Sequence, residues 1–249
     1  MKKLFLTFFM ITGLFCGGFA QQTREPSAQT SLKLLLVPAT LATLGVIIET
    51  LPSGSELGKI RMQQHFGPGA GHMHNHGDDY LEFAPAGAAL LLPLILKTPH
   101  KSETGEFLAK SAVSHVLSFG ILESMKRGFD HERPDGGRYS FPSGHTTVAF
   151  LGAQILFLEY KDTNKWLAYG AYPVAVFVGI DRAINNRHWY SDIFVGAALG
   201  MAVPTLVYWA KDKLFPARSA AERQEAHYSA YLTPSLGRQS QGLSLVVNF

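Results

Sequence analysis

The sequence predicts an all-α protein: a bundle of six transmembrane helices followed by a short C-terminal tail that alternates like a β-hairpin. Three observations carry this. The chain of 249 residues is 47% hydrophobic and 16% charged, a charged share well below the quarter usual in soluble domains. Apolar runs recur along it between polar breaks, and a bilayer span needs about 20 mostly apolar residues. The opening MKKLFLTFFMITGLFCGGFAQQ places Lys2 and Lys3 before an apolar core and the small residues Gly18 and Ala20, the layout of an export signal.

Each element follows from its composition. Residues 1–20 read as a signal peptide cleaved after Ala20, with an uncleaved N-terminal anchor as the other reading. Phe15 stands where a lipoprotein signal requires a small residue, so Cys16 is not read as a lipid anchor. It is the one cysteine, which excludes internal disulfides and cysteine-based zinc sites. Residues 21–33 are a polar linker, and the helical membrane domain covers 34–212. Its first run, 34–51, is long enough to span. A polar, Gly/His-rich stretch over 52–82 precedes an alanine-rich run at 83–96. Ser102 reads as the N-cap of a helix reaching Lys126. Further runs follow at 146–158, 166–180 and 191–210, the last again of spanning length. Residues 213–249 form the tail, which alternates from His227 to Phe249 around GRQSQG. Its final phenylalanine resembles the end of an outer-membrane barrel, but two strands cannot close one; the tail is read as an appendage packed on the helical domain. The formal charge of +3 has no basic cluster on a soluble domain behind it, so nucleic acid is excluded as a partner.

Small and polar residues mark helix contacts. Gly196 and Gly200 form a GxxxG step that allows close backbone approach. Ser111, His115 and Ser118 share one face of the helix over 102–126, turned toward neighbouring helices.

Three polar clusters sit where apolar helices meet loops. KRGFDHERP carries Lys126 and, seven residues on, Arg133 before Pro134. PSGH, Pro142 to His145, opens the run at 146–158. DRAINNRHWYSD carries Arg182, His188 and Asp192. Up-and-down connectivity brings all three to one end of a bundle. Lys126, Arg133 and Arg182 offer charge-assisted hydrogen bonds suited to phosphate. Ser143 adds a hydroxyl, Gly144 a backbone N–H open to close approach, and the helix start a favourable dipole. Asp192 on one ring nitrogen of His188 fixes its tautomer and raises the basicity of the other, which makes His188 a candidate nucleophile. His145, across the anion site, is placed to protonate a leaving oxygen. Three cations already balance phosphoryl charge, so the chemistry asks for no metal and no cofactor.

The pattern Lys-x6-Arg-Pro, Pro-Ser-Gly-His and Arg-x5-His-x3-Asp resembles the signature of the type 2 phosphatidic acid phosphatases, a superfamily that includes class A acid phosphatases and vanadium haloperoxidases. The match is tight over residues 126 to 192, and the six-helix pattern extends it. DDYLEFAPAG (Asp78 to Gly87) and GLSLVVNF are similar to segments of Bacteroidetes members. Asp181 departs from the serine usual before the arginine. The resemblance implies a six-helix transmembrane fold of that kind. It implies that His188 attacks phosphorus to form a phosphohistidine, oriented by Asp192, with His145 as general acid and later activator of water. Lys126, Arg133 and Arg182 then hold the phosphate oxygens, assisted by Ser143 and Gly144. The expected activity is a membrane phosphatase acting on a lipid phosphate monoester or pyrophosphate; lipid A, undecaprenyl pyrophosphate and phosphatidylglycerophosphate are the candidates. The alternatives are a broad-specificity acid phosphatase, a vanadium-dependent haloperoxidase, and a non-enzymatic lipid-binding protein, which intact His145, His188 and Asp192 argue against.

His72, His74 and His76, with His65 upstream, could hold a transition metal; the preferred reading is a solvated loop over the site. The partners expected are the bilayer and a lipid phosphate substrate, with no obligate protein partner inferred. Basic residues at Lys97, Lys101, Lys161, Lys165 and 211–218 fall on the side opposite the three clusters, so the positive-inside rule points to a bacterial inner-membrane protein with its site facing the periplasm. A cleaved signal and a spanning 34–51 run conflict with that orientation, and the basic loops are given the greater weight.

Overall fold

The computed structural model describes residues 30–52, 55, 57–60, 64, 78–96, 102, 104–215, 229–236 and 241–248. The signal at 1–20, most of the 21–33 linker, His65, His72, His74 and His76, and the turn of the tail hairpin lie outside the described residues. The chain divides into two units, Met1–Ala210 and Lys211–Phe249.

Among the described residues, six longer helices build the helical part of the chain. Helix α1 is Leu36–Thr50, entered through a 3-10 turn at Leu32–Leu35 whose Lys33 N–H is capped by the Ser31 hydroxyl at 3.2 Å. Helix α2, Phe83–Leu96, follows a single turn at Asp78–Leu81. Helix α3 is Thr104–Phe129 and α4 is Gly144–Tyr160. Helix α5 occupies Lys165–Ile184 in two segments, Lys165–Gly170 and Tyr172–Ile184. The break falls at Ala171 because Pro173 lacks an N–H and starts a new helix well but continues one badly. Helix α6 is Tyr190–Leu214.

Helix α4 is the centre. It is buried on nearly every side, from Thr146 to Tyr160, as expected of a helix hydrophobic all round. Glycines set how closely its neighbours approach. A Cβ on Gly152 would sit 2.2 Å from the Ala86 nitrogen, so α2 crosses α4 backbone to backbone. A Cβ on Gly200 would lie 2.5 Å from the Thr147 carbonyl, and one on Gly196 2.7 Å from the Ser143 carbonyl. The GxxxG step is thus the seat of α6 on α4, as the spacing predicts. Gln154 links the layers, donating to Thr205 Oγ1 at 2.9 Å and accepting from the Tyr172 hydroxyl.

The outward faces are apolar. Leu36, Val37, Val46 and Ile47 of α1, Val113, Val116 and Phe119 of α3, and Val176, Phe177 and Ile180 of α5 are exposed. A water-facing surface rarely carries so many; a lipid-facing one requires them. Three described helices, Leu32–Thr50, Lys165–Ile184 and Tyr190–Leu214, are long and apolar enough to cross a membrane. The helical unit is a membrane domain. Serines Ser111, Ser114 and Ser118 face inward on α3, and His115 bonds the Ser111 carbonyl at 2.8 Å.

Two expectations are corrected. Ser102 does not cap α3, which begins at Thr104; its N–H and hydroxyl donate to the Glu159 carboxylate at 2.9 and 2.7 Å. Helix α4 begins at Gly144 rather than Thr146, so Gly144 and His145 form its first turn. Ser143 outcompetes later starts because its hydroxyl accepts from the Thr146 N–H, the N-cap bond. In the second unit, Ser229–Leu236 pairs antiparallel with Gln241–Asn248, Ser229 opposite Asn248 and Leu236 opposite Gln241, the hairpin expected of the tail.

Candidate active site

The site forms at the end of the bundle where α3 and α5 finish and α4 and α6 begin. From α3 the chain turns at Asp130, whose φ of 44° lies in the left-handed region that Asp tolerates. The following loop closes on itself. Arg133 N–H donates to the Gly137 carbonyl at 2.7 Å and Gly136 N–H to the Arg133 carbonyl at 3.0 Å. Gly136 takes a φ of 84°, at no cost for glycine. Ser140 N–H reaches the His131 carbonyl at 2.8 Å. The Arg133 Nε holds the Arg138 carbonyl at 3.2 Å, and Lys126 Nζ holds the Tyr139 carbonyl at 2.8 Å. Both cations are thereby folded back under the loop.

The second loop hangs from the end of α5. Asn186 adopts a φ of 53°, a left-handed residue of the kind that ends helices. The Arg182 carbonyl then accepts from Arg187 N–H at 3.0 Å and His188 N–H at 3.3 Å. Trp189 pins this loop to the first, its indole N–H donating to the Glu132 carbonyl at 2.8 Å, and Arg187 meets Asp135 at 3.1 Å.

Asp192, in the first turn of α6, organises the centre. Its Oδ2 lies 3.3 Å from His188 Nδ1 and accepts from the Trp189 N–H at 2.9 Å and from the Ser140 hydroxyl. Ser140 Oγ is also 3.5 Å from His188 Nδ1. The Asp192 carbonyl accepts the Ser143 N–H at 3.0 Å, which ties the start of α4 to the start of α6. With Nδ1 turned to the carboxylate, His188 Nε2 is the nitrogen available for chemistry.

His188 is 1% exposed, and burial drives its pKa from 6.5 down to about 4. Asp192 opposes this by hydrogen bond and charge, while Arg133 and Lys126 reinforce it. The expectation that Asp192 raises basicity holds as a direction, but desolvation wins. The outcome is a neutral imidazole at pH 7, the form that carries a lone pair. Burial likewise lowers the pKa of Arg133; Asp135 and Asp192 pull it back up, and Arg182 and Arg187 add to the lowering. Lys126, Arg133 and Arg182 against Asp192 leave two positive charges in surplus around a neutral histidine. Such a pocket is suited to an anion.

Ser143 and Gly144 stand at the N-terminus of α4, as the sequence predicts, with Ser143 as its N-cap. The Ser143 oxygen is buried and accepts from the Thr146 hydroxyl at 2.9 Å as well as its N–H. A Cβ on Gly144 would lie 3.8 Å from Lys126 Cε, an ordinary contact, so this position places the helix start beside Lys126 without demanding glycine for space. His145 stands in the first turn of α4, with its Nε2 3.4 Å from Glu82 Oε1. Among the described residues no group of histidines and carboxylates is arranged to hold a metal ion.

Three contributors escape the sequence reading. Ser140 lies three residues before Ser143, and nothing local distinguishes the two hydroxyls. Glu82 lies in DDYLEFAPAG, whose similarity to Bacteroidetes members is the one signal that marks it. Glu49, at the end of α1, accepts from the Ser191 hydroxyl at 2.7 Å, meets Lys59 at 2.6 Å and lies 3.4 Å from His131 Nδ1. An acidic residue ending an apolar helix is the one signal that marks it.

The chain is similar to several known proteins. The model of the PAP2 superfamily matches residues 95–216. The chain is 38% identical over 148 residues to a lipid A 1-phosphatase of Porphyromonas gingivalis, covering 59% of this chain and 33% of that protein. It is 32% identical over 102 residues to the bacitracin transport permease protein BcrC of Bacillus licheniformis, 41% of this chain and 46% of that one. The chain thus spans a third to a half of the length of these two relatives. The crystal structure of Aquifex aeolicus LpxE superposes with a TM-score of 0.48 at 18% identity, over 60% of this chain and 93% of that one.

Proposed function

We propose that the chain, whose residues 95–216 match the model of the PAP2 superfamily, is a membrane phosphatase that hydrolyses a lipid phosphate through a phosphohistidine. The observation that carries this is the buried, neutral His188 on Asp192 within the field of Lys126 and Arg133. The helical domain over 34–212 does the chemistry and the 213–249 tail does none of it.

In the first half-reaction His188 Nε2 attacks phosphorus in line with the leaving oxygen. Lys126, Arg133 and Arg182 hold the non-bridging oxygens, with the Gly144 N–H and the Ser143 O–H at the α4 N-terminus. Asp192 stabilises the ring as it takes up positive charge. His145 protonates the departing alcohol. In the second half-reaction His145 takes a proton from water, which displaces His188 from phosphorus.

The substrate class we favour is a lipid A phosphate, because a relative at 38% identity carries the name lipid A 1-phosphatase; undecaprenyl pyrophosphate and phosphatidylglycerophosphate come next. The protein sits in the bacterial inner membrane with this site toward the periplasm, since the loop between α4 and α5 carries Lys161 and Lys165 at the opposite end. Mass spectrometry of envelope lipids from cells expressing the protein or His188→Ala tests the reading. Loss of one phosphate from lipid A is expected only with the active chain, and identical lipid profiles would sink it. Orientation is tested in a Cys16→Ser background with E132C and T163C, at exposed loop positions on the two ends. An impermeant thiol reagent applied to whole cells with a permeabilised outer membrane should label residue 132 and spare residue 163; the reverse pattern places the site in the cytoplasm.

A further inference from the structure

The general acid has a carboxylate of its own. Glu82 is 8% exposed and its Oε1 lies 3.4 Å from His145 Nε2. The contact rests on rigid elements. Helix α2 starts one residue after Glu82, and four residues on, Ala86 lies against α4 at Gly152, where a Cβ would stand 2.6 Å from the Ala86 Cα. Ala86 and Gly152 are buried. From that crossing, Glu82 is one turn back along α2 and His145 two turns back along α4, both toward the same end of the bundle. The side chains are therefore delivered to each other by backbone packing.

We propose that Glu82 is a positioning residue for His145, making a second histidine–carboxylate pair in the site that works in the opposite sense to His188–Asp192. This rests on the reading of His145 as general acid. A carboxylate against Nε2–H favours the charged ring and holds its tautomer. Nδ1–H is then the proton directed at the leaving oxygen. As the His188 Nε2–P bond forms and the P–O bond to the alcohol breaks, the electron pair of that bond takes the Nδ1 proton and the alcohol departs neutral. His145 is left with its proton on Nε2, still on Glu82, and a lone pair on Nδ1. That lone pair accepts the proton of the attacking water in the second half-reaction, when the P–N bond breaks, and the cationic ring is restored. Two pairs of the same composition thus serve two states. His188 is kept neutral by burial and by Arg133 and Lys126, whereas Glu82 faces His145 with a negative charge.

The test uses leaving groups, which a structural role does not sense. p-Nitrophenolate departs without a proton; an alkoxide needs one. Purified full-length protein in detergent is assayed for kcat/KM, which reports phosphoenzyme formation, with p-nitrophenyl phosphate and with a long-chain alkyl phosphate. Glu82→Gln should lose about 10- to 100-fold on the alkyl phosphate, part of the general-acid effect, and less than about 3-fold on p-nitrophenyl phosphate. Glu82→Asp should recover part of the alkyl activity, and supplies the same ratio if the glutamine variant fails to fold. His145→Ala should show the same split, larger. If His145→Ala splits the substrates and both Glu82 variants lose equally on the two, or lose nothing, Glu82 has no such role while the reading of the site stands. If His145→Ala shows no split, or the wild-type chain hydrolyses neither compound, the reading of the site fails and the role of Glu82 with it.

Discussion

The two ends of the helical unit each bury a cluster of charge, and they are built to opposite rules. At the end away from the histidines, Lys110 is 4% exposed. It meets Glu106 at 3.1 Å and Glu159 at 3.3 Å, donates to the Ser102 hydroxyl oxygen, and lies 4.0 Å over the Tyr208 ring. Glu159 is completed by two bonds from Ser102. One cation faces two carboxylates, and every partner comes from the chain itself. At the other end Lys126 and Arg133 lie in the field of Asp192 and of Arg182, and the histidine on that carboxylate is neutral. Buried charge alone does not mark a site. A buried cation and carboxylates that satisfy one another, with Ser102 completing Glu159, ask for no ligand and staple α3, α4 and α6 together; cations gathered around a neutral histidine are suited to an anion.

That contrast can be broken in four ways. The largest effect should follow His188→Ala, which removes the proposed nucleophile and should lower kcat by at least about 1,000-fold with an unchanged melting profile; rates within tenfold of wild type would take away the site. Lys110→Ala should do the reverse. It strands Glu159 in an apolar surround and should cost about 3–5 kcal/mol of stability, read by denaturation in detergent, while turnover per folded molecule stays at the wild-type level. Lost turnover in the folded fraction would mean that the closed cluster serves the reaction. Ser140→Ala removes a hydroxyl from the Asp192 carboxylate. A hydrogen bond to a charged group predicts a loss of about 10- to 100-fold in kcat, where Ser124→Ala, on an exposed turn of α3, should be silent.

The smallest effect is a pH dependence. The folded pKa of His188 lies at about 4, below its ordinary 6.5. Between those values the unfolded ring binds more protons than the folded one, so stability falls as pH drops through that window. Wild type and His188→Asn should therefore differ in the slope of stability against pH between about 6.5 and about 4, with the asparagine variant flatter. Equal slopes would place the ring in a more polar setting than its burial indicates.

Much of the site was legible because it is local to helix ends. Lys126 and Arg133 follow one apolar run, Pro142 to His145 open another, and His188 and Asp192 straddle the start of a third, so alternating helices suffice to gather them. The GxxxG step was legible for a similar reason: two small residues on one face of α6 allow close contact whatever the partner. What the spacing could not rank was one serine against another. Ser143 caps α4 with its oxygen, while Ser140 reaches Asp192 across 52 positions of sequence. Nor did the motif forecast the charge state of His188. The Asp192 partner suggested a more basic ring, and enclosure by the fold made it a less basic one.

The sequence by itself determined the element pattern, the end of the bundle where the candidate site gathers and the residues proposed to carry its chemistry, because period, capping and charge at helix ends are local properties. The tertiary structure alone decided which hydroxyl serves Asp192, that Glu49 of α1 bonds Ser191 across 142 positions, that Glu82 faces His145, and that His188 stays neutral. Each of these depends on which atoms packing brings within about 3 Å, the reach of a hydrogen bond, and on how much water it excludes. Neither distance nor enclosure is written in the spacing of residues along the chain.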